Sequence, residues 1–283
     1  MRIFAILSLL CIAFGTSYSA ADSTIQEDTG WKPELPTEVP LALFHSINAI
    51  SLPTAQTLKK GEYFYSIEHR WTQPISTGSE NLWGFDGGVV MRMMLGYAPT
   101  DNLFVSLSRS NQFGQYELDA KYKVFAIRSE TLPLLATIKA GGAYNSKGFA
   151  DNVPSSRKYQ YYGSAILNTM VAEKFGFGLV ASYLYNTKCD CAEAQTSLTA
   201  GIYAQYYLNE NWSVILEGNP TLSGFRNTYD SWGGGVEFET GGHFFKFTFS
   251  NNVLLNTTQF LGGSANAPQF KNLHLGFQIS RDL

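Results

Sequence analysis

From Tyr63 to the C-terminus, apolar and polar positions alternate with a period of two, and the pattern stops and restarts about twelve times. In the first run Tyr63, Tyr65, Ile67, His69 and Trp71 share one parity, and Glu62, Ser66, Glu68 and Arg70 share the other. Such alternation marks strands with one apolar and one polar face. It recurs at Val89, Met91, Met93, Leu95 and Tyr97 against Asp86 and Arg92, and at Leu103, Val105 and Leu107 against Ser106 and Ser108. Tyr116, Leu118, Ala120, Tyr122 and Val124 then oppose Glu117, Asp119, Lys121 and Lys123. Further strands are predicted near 132–145, 158–172, 175–187, 195–208, 212–218, 231–239, 243–251 and 271–281.

The connections alternate short and long. Thr100–Asn102, Arg128–Thr131, Glu173-Lys174, Asn209–Asn211 and Thr240–Gly242 are tight turns. Between them lie Thr72–Leu82, Asn111–Gly114, Ser146–Arg157, Lys188–Ala194, Asn219–Asp230 and Asn252–Phe270. A bacterial membrane barrel has brief periplasmic turns, longer outer loops and an even strand count. Residues 61–283 are therefore expected to form an all-β, transmembrane, antiparallel up-and-down β-barrel of about 12 strands. A soluble sandwich gives no reason for the alternating connections.

The N-terminus reads differently. Met1-Arg2, the apolar run Ile3–Phe14 and small residues at Ser17, Ser19, Ala20 and Ala21 have the layout of a secretory signal over 1–21. Cleavage is expected between Ala21 and Asp22. Residues 22–60 open polar, carry Pro33, Pro36 and Pro40, and become apolar over Leu41–Leu58. This stretch is expected to be a periplasmic lead-in, with Leu41–Leu58 forming a short helix or a plug.

Composition narrows the class. After the signal no apolar run reaches the eighteen or so residues of a membrane helix, yet the chain is 14% aromatic and only 15% charged, with 26 glycines. A net charge of −3 gives no pull towards nucleic acid. Outward Tyr and Trp gather at strand ends, at Tyr63, Trp71, Tyr97, Tyr116, Tyr159, Tyr183, Tyr185, Trp212 and Trp232. Tyr63 and Trp71 stand roughly 26 Å apart along a strand and about 20 Å once it is tilted, near the height of an outer-membrane apolar band. The last strand puts Leu273, Leu275, Phe277, Ile279 and the terminal Leu283 on one face. It resembles the C-terminal signal read by the barrel-assembly machinery, with Leu283 in place of the usual Phe.

Several motifs occur in order: Leu58-Lys59-Lys60-Gly61-Glu62 before Glu68-His69-Arg70-Trp71, then Gly84-Phe85-Asp86-Gly87-Gly88 with Arg92. They continue through Thr100-Asp101-Asn102-Leu103 with Arg109-Ser110, Lys121-Tyr122, Glu239-Thr240-Gly241-Gly242-His243, and His274-Leu275-Gly276-Phe277 with Ile279-Ser280-Arg281. Together they resemble an uncharacterised outer-membrane β-barrel family, a domain of unknown function, of Bacteroidetes-type bacteria. The resemblance spans about Leu43 to Leu283 and implies the fold and an outer-membrane location, with no activity or site residues attached.

The polar parity carries the candidate chemistry. Glu62, Glu68, Arg70, Asp86, Arg92, Glu117, Asp119, Lys121, Lys123, Lys139, Glu217, Glu237, Glu239 and Lys246 are assigned to the lumen. A lipid-facing Lys or Arg at the midplane would cost about 2–4 kcal/mol. The charges fit a narrow channel for small polar solutes, or equally a blocked interior in which acids and bases pair. A closed structural or partner-binding barrel without transport, with 22–60 plugging it or docking a periplasmic partner, is the alternative function. A lipid-modifying enzyme is a distant third: His69 faces outward near a rim, but Trp71 stands where a serine would be needed. His45-Ser46, His243 and His274 lack a nucleophile arrangement.

Cys189 and Cys191 lie two apart in an outer loop, too close for an unstrained bridge and without further metal ligands. Neither catalytic nor metal or cofactor residues are predicted, and the expected surroundings are outer-membrane lipid around a monomer.

Overall fold

The computed structural model describes residues 41–283. The expected signal peptide, its cleavage point at Ala21-Asp22 and residues 22–40 lie outside the described residues. Thirteen strands follow: β1 Tyr63–Trp71, β2 Val89–Thr100, β3 Leu103–Ser110, β4 Gln115–Ile127, β5 Leu134–Asn145, β6 Tyr159–Val171, β7 Phe175–Tyr185, β8 Thr196–Tyr207, β9 Trp212–Asn219, β10 Thr221–Gly224, β11 Ser231–Thr240, β12 His243–Ser250 and β13 His274–Asp282.

Each barrel strand pairs antiparallel with its neighbours, and β13 returns to β1 with Ile67 opposite Ile279 and Glu68 opposite Gln278. The short β10 continues β9. Gly218 faces Ile202 and Thr221 faces Thr199 in the same register along β8. Pro220 separates them because it has no N–H to donate, although its carbonyl still accepts the Ala200 N–H at 3.0 Å. The result is a closed barrel of twelve strands with β10 as an extension beyond the ring.

The faces are inverted relative to a water-soluble protein. Along β4 the side chains of Gln115, Glu117, Asp119 and Lys121 are buried, while Leu118 is 63% exposed and Tyr116 and Tyr122 lie open beside it. An apolar outer surface of this extent around a charged interior is stable only where the surroundings are not water. Tyr63, Tyr116, Tyr159, Tyr183, Tyr185 and Trp212 are exposed near strand ends, which forms the two aromatic belts.

Tight turns lie at one rim, where β2–β3, β6–β7 and β11–β12 meet, and longer loops lie at the other. The first long loop runs from Thr72 to Gly88 and is longer than the alternation suggests, because β2 starts at Val89. This corrects one assignment: Asp86 is exposed in that loop and does not face the interior. The preceding Leu82 and Trp83 have positive φ, so the loop winds away from the extended geometry a strand would need there.

Leu41–Leu58 contains no helix. It is an irregular, largely buried segment, with Leu43, Phe44, Ile47, Ile50, Leu52 and Leu58 all shielded from solvent. In the last strand, Phe277 and Ile279 face outward and Leu283 is exposed.

Candidate functional site

Two inserted segments fill the interior. From the turn rim, residues 46–54 form a small hairpin: the Ala49 N–H donates to the Leu52 carbonyl at 2.8 Å, and the Thr54 N–H donates to Ile47 at 3.0 Å. Asn48 faces Pro53 across it. The tip is therefore Ala49–Leu52, and its backbone groups must find partners inside the barrel, since unpaired buried amides are costly.

Charged side chains on the wall supply those partners. The Glu217 carboxylate on β9 accepts the N–H groups of Ile50, Ser51 and Leu52, at 3.2, 2.9 and 3.0 Å. The Lys121 ammonium on β4 donates to the carbonyls of Ile47, Thr54 and Gln56 at 3.1, 2.9 and 2.9 Å. All three of its donors are thereby used. Lys246 on β12 donates to the carbonyls of Asn48 and Ala49 at 2.7 and 2.6 Å. On β6 and β8, Asn168 accepts from the Ala55 N–H and the Tyr203 hydroxyl donates to the Pro53 carbonyl.

The hairpin's apolar side chains have shaped seats. Phe44 lies over Gly176 and Leu52 over Gly201, where an added Cβ would stand 2.8 and 3.0 Å from them. The glycines leave the wall room for both side chains. Phe44, Ile50 and Leu52 join Tyr203, Val180, Leu184 and Ile215 in one apolar cluster. Burying each large side chain stabilises the docked state by about 1.5–3 kcal/mol.

The second insertion comes from the loop rim. Residues 252–264 fold inward around a short helix, α1 Thr257–Leu261, and Phe260 and Leu261 complete the same cluster. Gln115 donates to Thr258, Ser231 donates to the Phe260 carbonyl and Asn219 donates to the Leu261 carbonyl. Arg70 ties the two insertions together: it donates to the carbonyls of Asn252 and Leu254 at 2.9 and 3.3 Å, and to the Ser51 hydroxyl at 3.5 Å.

The remaining interior charges pair along the wall. Lys139 meets Asp119 at 3.1 Å, and Arg92 meets Glu68 and Glu117 at 3.5 and 3.9 Å. Tyr162 donates to Glu117 at 2.8 Å. Lys246 also meets Glu237 at 3.1 Å, and His45, whose ring packs on Tyr207, lies 3.5 Å from the same carboxylate. Acids and bases thus alternate within contact distance, which leaves no long run of one sign along the bore.

Of the fourteen charged residues assigned to the lumen, ten are buried on the inner face: Glu68, Arg70, Arg92, Glu117, Asp119, Lys121, Lys139, Glu217, Glu237 and Lys246. Glu62, Lys123 and Glu239 are half-buried at the turn rim, where Glu62 and Lys123 bond to the Lys59 N–H and the Asp101 carbonyl. Asp86 stands apart in its loop. The sequence reading missed the neutral partners Gln115, Asn168, Tyr203 and Ser231, whose inward parity was the available signal, and Asn252, which lies past the end of β12.

His69 lies on the outer face between Met91 and Phe277, with no serine or acid opposite it in either neighbouring strand. His274 is buried and bonded to Asn266 and the Trp71 carbonyl. Among the described residues no group of three or more His, Cys, Asp or Glu is placed to hold a metal. Both loop cysteines are free, but Cys189 is 1% exposed and Cys191 is partly open. Burial pushes the Cys189 thiol up to about 12, so it stays protonated at neutral pH. A maleimide added to the folded protein at pH 7 is expected to modify Cys191 and spare Cys189. Equal labelling before unfolding, read by mass spectrometry, would contradict that burial.

Residues 44–283 match the family described as Membrane bound beta barrel domain (DUF5777). The match therefore includes the inserted hairpin as well as every strand. Among solved structures, the NanC porin is similar with a TM-score of 0.47 and 8% identity, covering 76% of this chain and 97% of that one. An outer membrane channel from Pseudomonas putida F1 has a TM-score of 0.48 and 13% identity, covering 81% and 98%. The KdgM porin has a TM-score of 0.44 and 7% identity, covering 78% and 97%. No curated protein sequence matches.

Proposed function

We propose that this chain, a bacterial outer-membrane β-barrel which belongs to the membrane bound beta barrel domain family, is closed at rest by its own residues 43–58 and admits small polar solutes only when that segment leaves. The observation that carries the reading is the grip on the hairpin. Inward side chains of β4, β9 and β12 are spent on its main chain and so are not left facing an open bore. On this reading the turn rim and the start of the hairpin face the periplasm, where short turns belong.

The test is conductance of the full-length protein in planar bilayers. The unaltered chain is expected to give rare, brief openings, and a steady current from it would overturn the closed resting state. Heat-dependent gel mobility of the unboiled sample establishes that the barrel is folded in the same preparation.

One observation favours a second use of the same closed form. A cleft of about 530 Å³ flanks the start of the hairpin at the turn rim, with Leu43, Phe44, Met170 and Tyr207 below and Glu173, Lys174 and Glu210 around it. A periplasmic partner that docks there would also contact residues 42–45. In that case variants with a loosened hairpin would remain non-conducting and would lose partner binding.

A further inference from the structure

The polar contacts that hold the hairpin share one property, the Arg70 contact to the Ser51 hydroxyl apart: they are made to atoms every peptide has. Glu217 takes three successive N–H groups, Lys121 takes three carbonyls and Lys246 takes two. Gln278 adds a contact at 3.5 Å to the Ile50 carbonyl. Carboxylate and ammonium grip opposite poles of the same reverse turn. The side chains contribute shape, through the seats at Gly176 and Gly201.

We propose that the interior is a receptor for a peptide turn, with Ala49–Leu52 as its resident ligand. An incoming peptide carrying a reverse turn and an apolar residue at the Leu52 position takes the same contacts when the resident hairpin is displaced. This inference rests on the hairpin being displaceable and goes further by naming the class of ligand: an unfolded peptide, recognised by its main chain.

The test uses the full-length chain with a weakened resident. Leu52→Asp puts a second carboxylate beside Glu217 and leaves the wall unaltered. Ser51→Pro removes one of the three N–H donors and serves as the independent second variant. Heat-dependent gel mobility shows for each that the barrel is folded. The probe is a fluorescent synthetic peptide of residues 43–56, read by anisotropy in detergent. A matched peptide is N-methylated at residues 50, 51 and 52, which keeps every side chain and removes the three donors.

The variants are expected to bind the unmethylated probe at least roughly tenfold tighter than the unaltered chain, whose site is occupied most of the time. Methylation is expected to abolish binding. Equal binding of both peptides would overturn the proposal, since it would show apolar adhesion in place of main-chain recognition. Failure of a folded, conducting variant to bind either peptide would overturn it while leaving the closed-barrel reading intact. Binding by a variant that never conducts would do the reverse.

Discussion

Full-length protein carrying Glu217→Ala is expected to open in planar bilayers about a hundredfold more often than the unaltered chain, which corresponds to close to 3 kcal/mol of lost docking. The carboxylate is the acceptor for Ile50, Ser51 and Leu52 at the hairpin tip. Hydrogen bonds to a charged group are each worth about 1.5–3 kcal/mol, and removal of the acceptor leaves three buried donors without it. Two effects oppose the full sum. Loss of the acid ends the cost of keeping a charge buried, and water entering the vacated volume can satisfy some of the donors. The expected shift therefore lies near the contribution of one or two bonds.

Glu217→Gln keeps one oxygen acceptor in place and is expected to open about tenfold more often, between the two extremes. Single-channel recording ranks the three proteins. An order other than alanine above glutamine above the unaltered chain would remove Glu217 from the closure mechanism.

The second large effect concerns the outer surface. Leu179 sits midway along β7, between Phe175 and Phe177 towards the turns and Tyr183 and Tyr185 towards the loops. It is 46% exposed and lies between Leu167 and Ile202 of the neighbouring strands. Leu179→Arg is expected to destabilise the folded barrel in lipid vesicles by about 2–4 kcal/mol, the cost of Arg at the midplane. Tyr185→Arg, at the rim, is expected to cost about 0–1 kcal/mol. Urea unfolding followed by tryptophan fluorescence measures both. A barrel surrounded by water would tolerate the two substitutions alike, so equal costs would contradict the membrane-facing surface.

Much of this architecture was legible because lipid, lumen and chain reversal each leave a local mark. Alternation places Leu118 outside and Glu117 inside from their parity alone, and connection length separates the rims. Asp86 was misplaced for a local reason as well: it keeps the parity of Arg92, but the strand begins only at Val89, and Leu82-Trp83 turn the chain away. The inserted hairpin was foreseen only as a helix or a plug. Its partners were beyond reach, because Lys121 and Glu217 bind main-chain atoms that every residue carries and that leave no sequence signature. The fold of 252–264 was hidden similarly. Its Asn, Thr and Gly read as an outer loop, and only Phe260 and Leu261 hint that it turns inward.

The hairpin's partners also lie far along the chain. Ile50 reaches Glu217 across 167 residues, and Asn48 reaches Lys246 across 198. Both contacts are made to strands that stand in the closed ring. A slip of one residue in either strand would turn Glu217 or Lys246 outward to the lipid, since successive side chains alternate between faces. The hairpin therefore finds its full set of partners only in a barrel that has closed in the right register. A barrel paired in another register would lose these hairpin contacts.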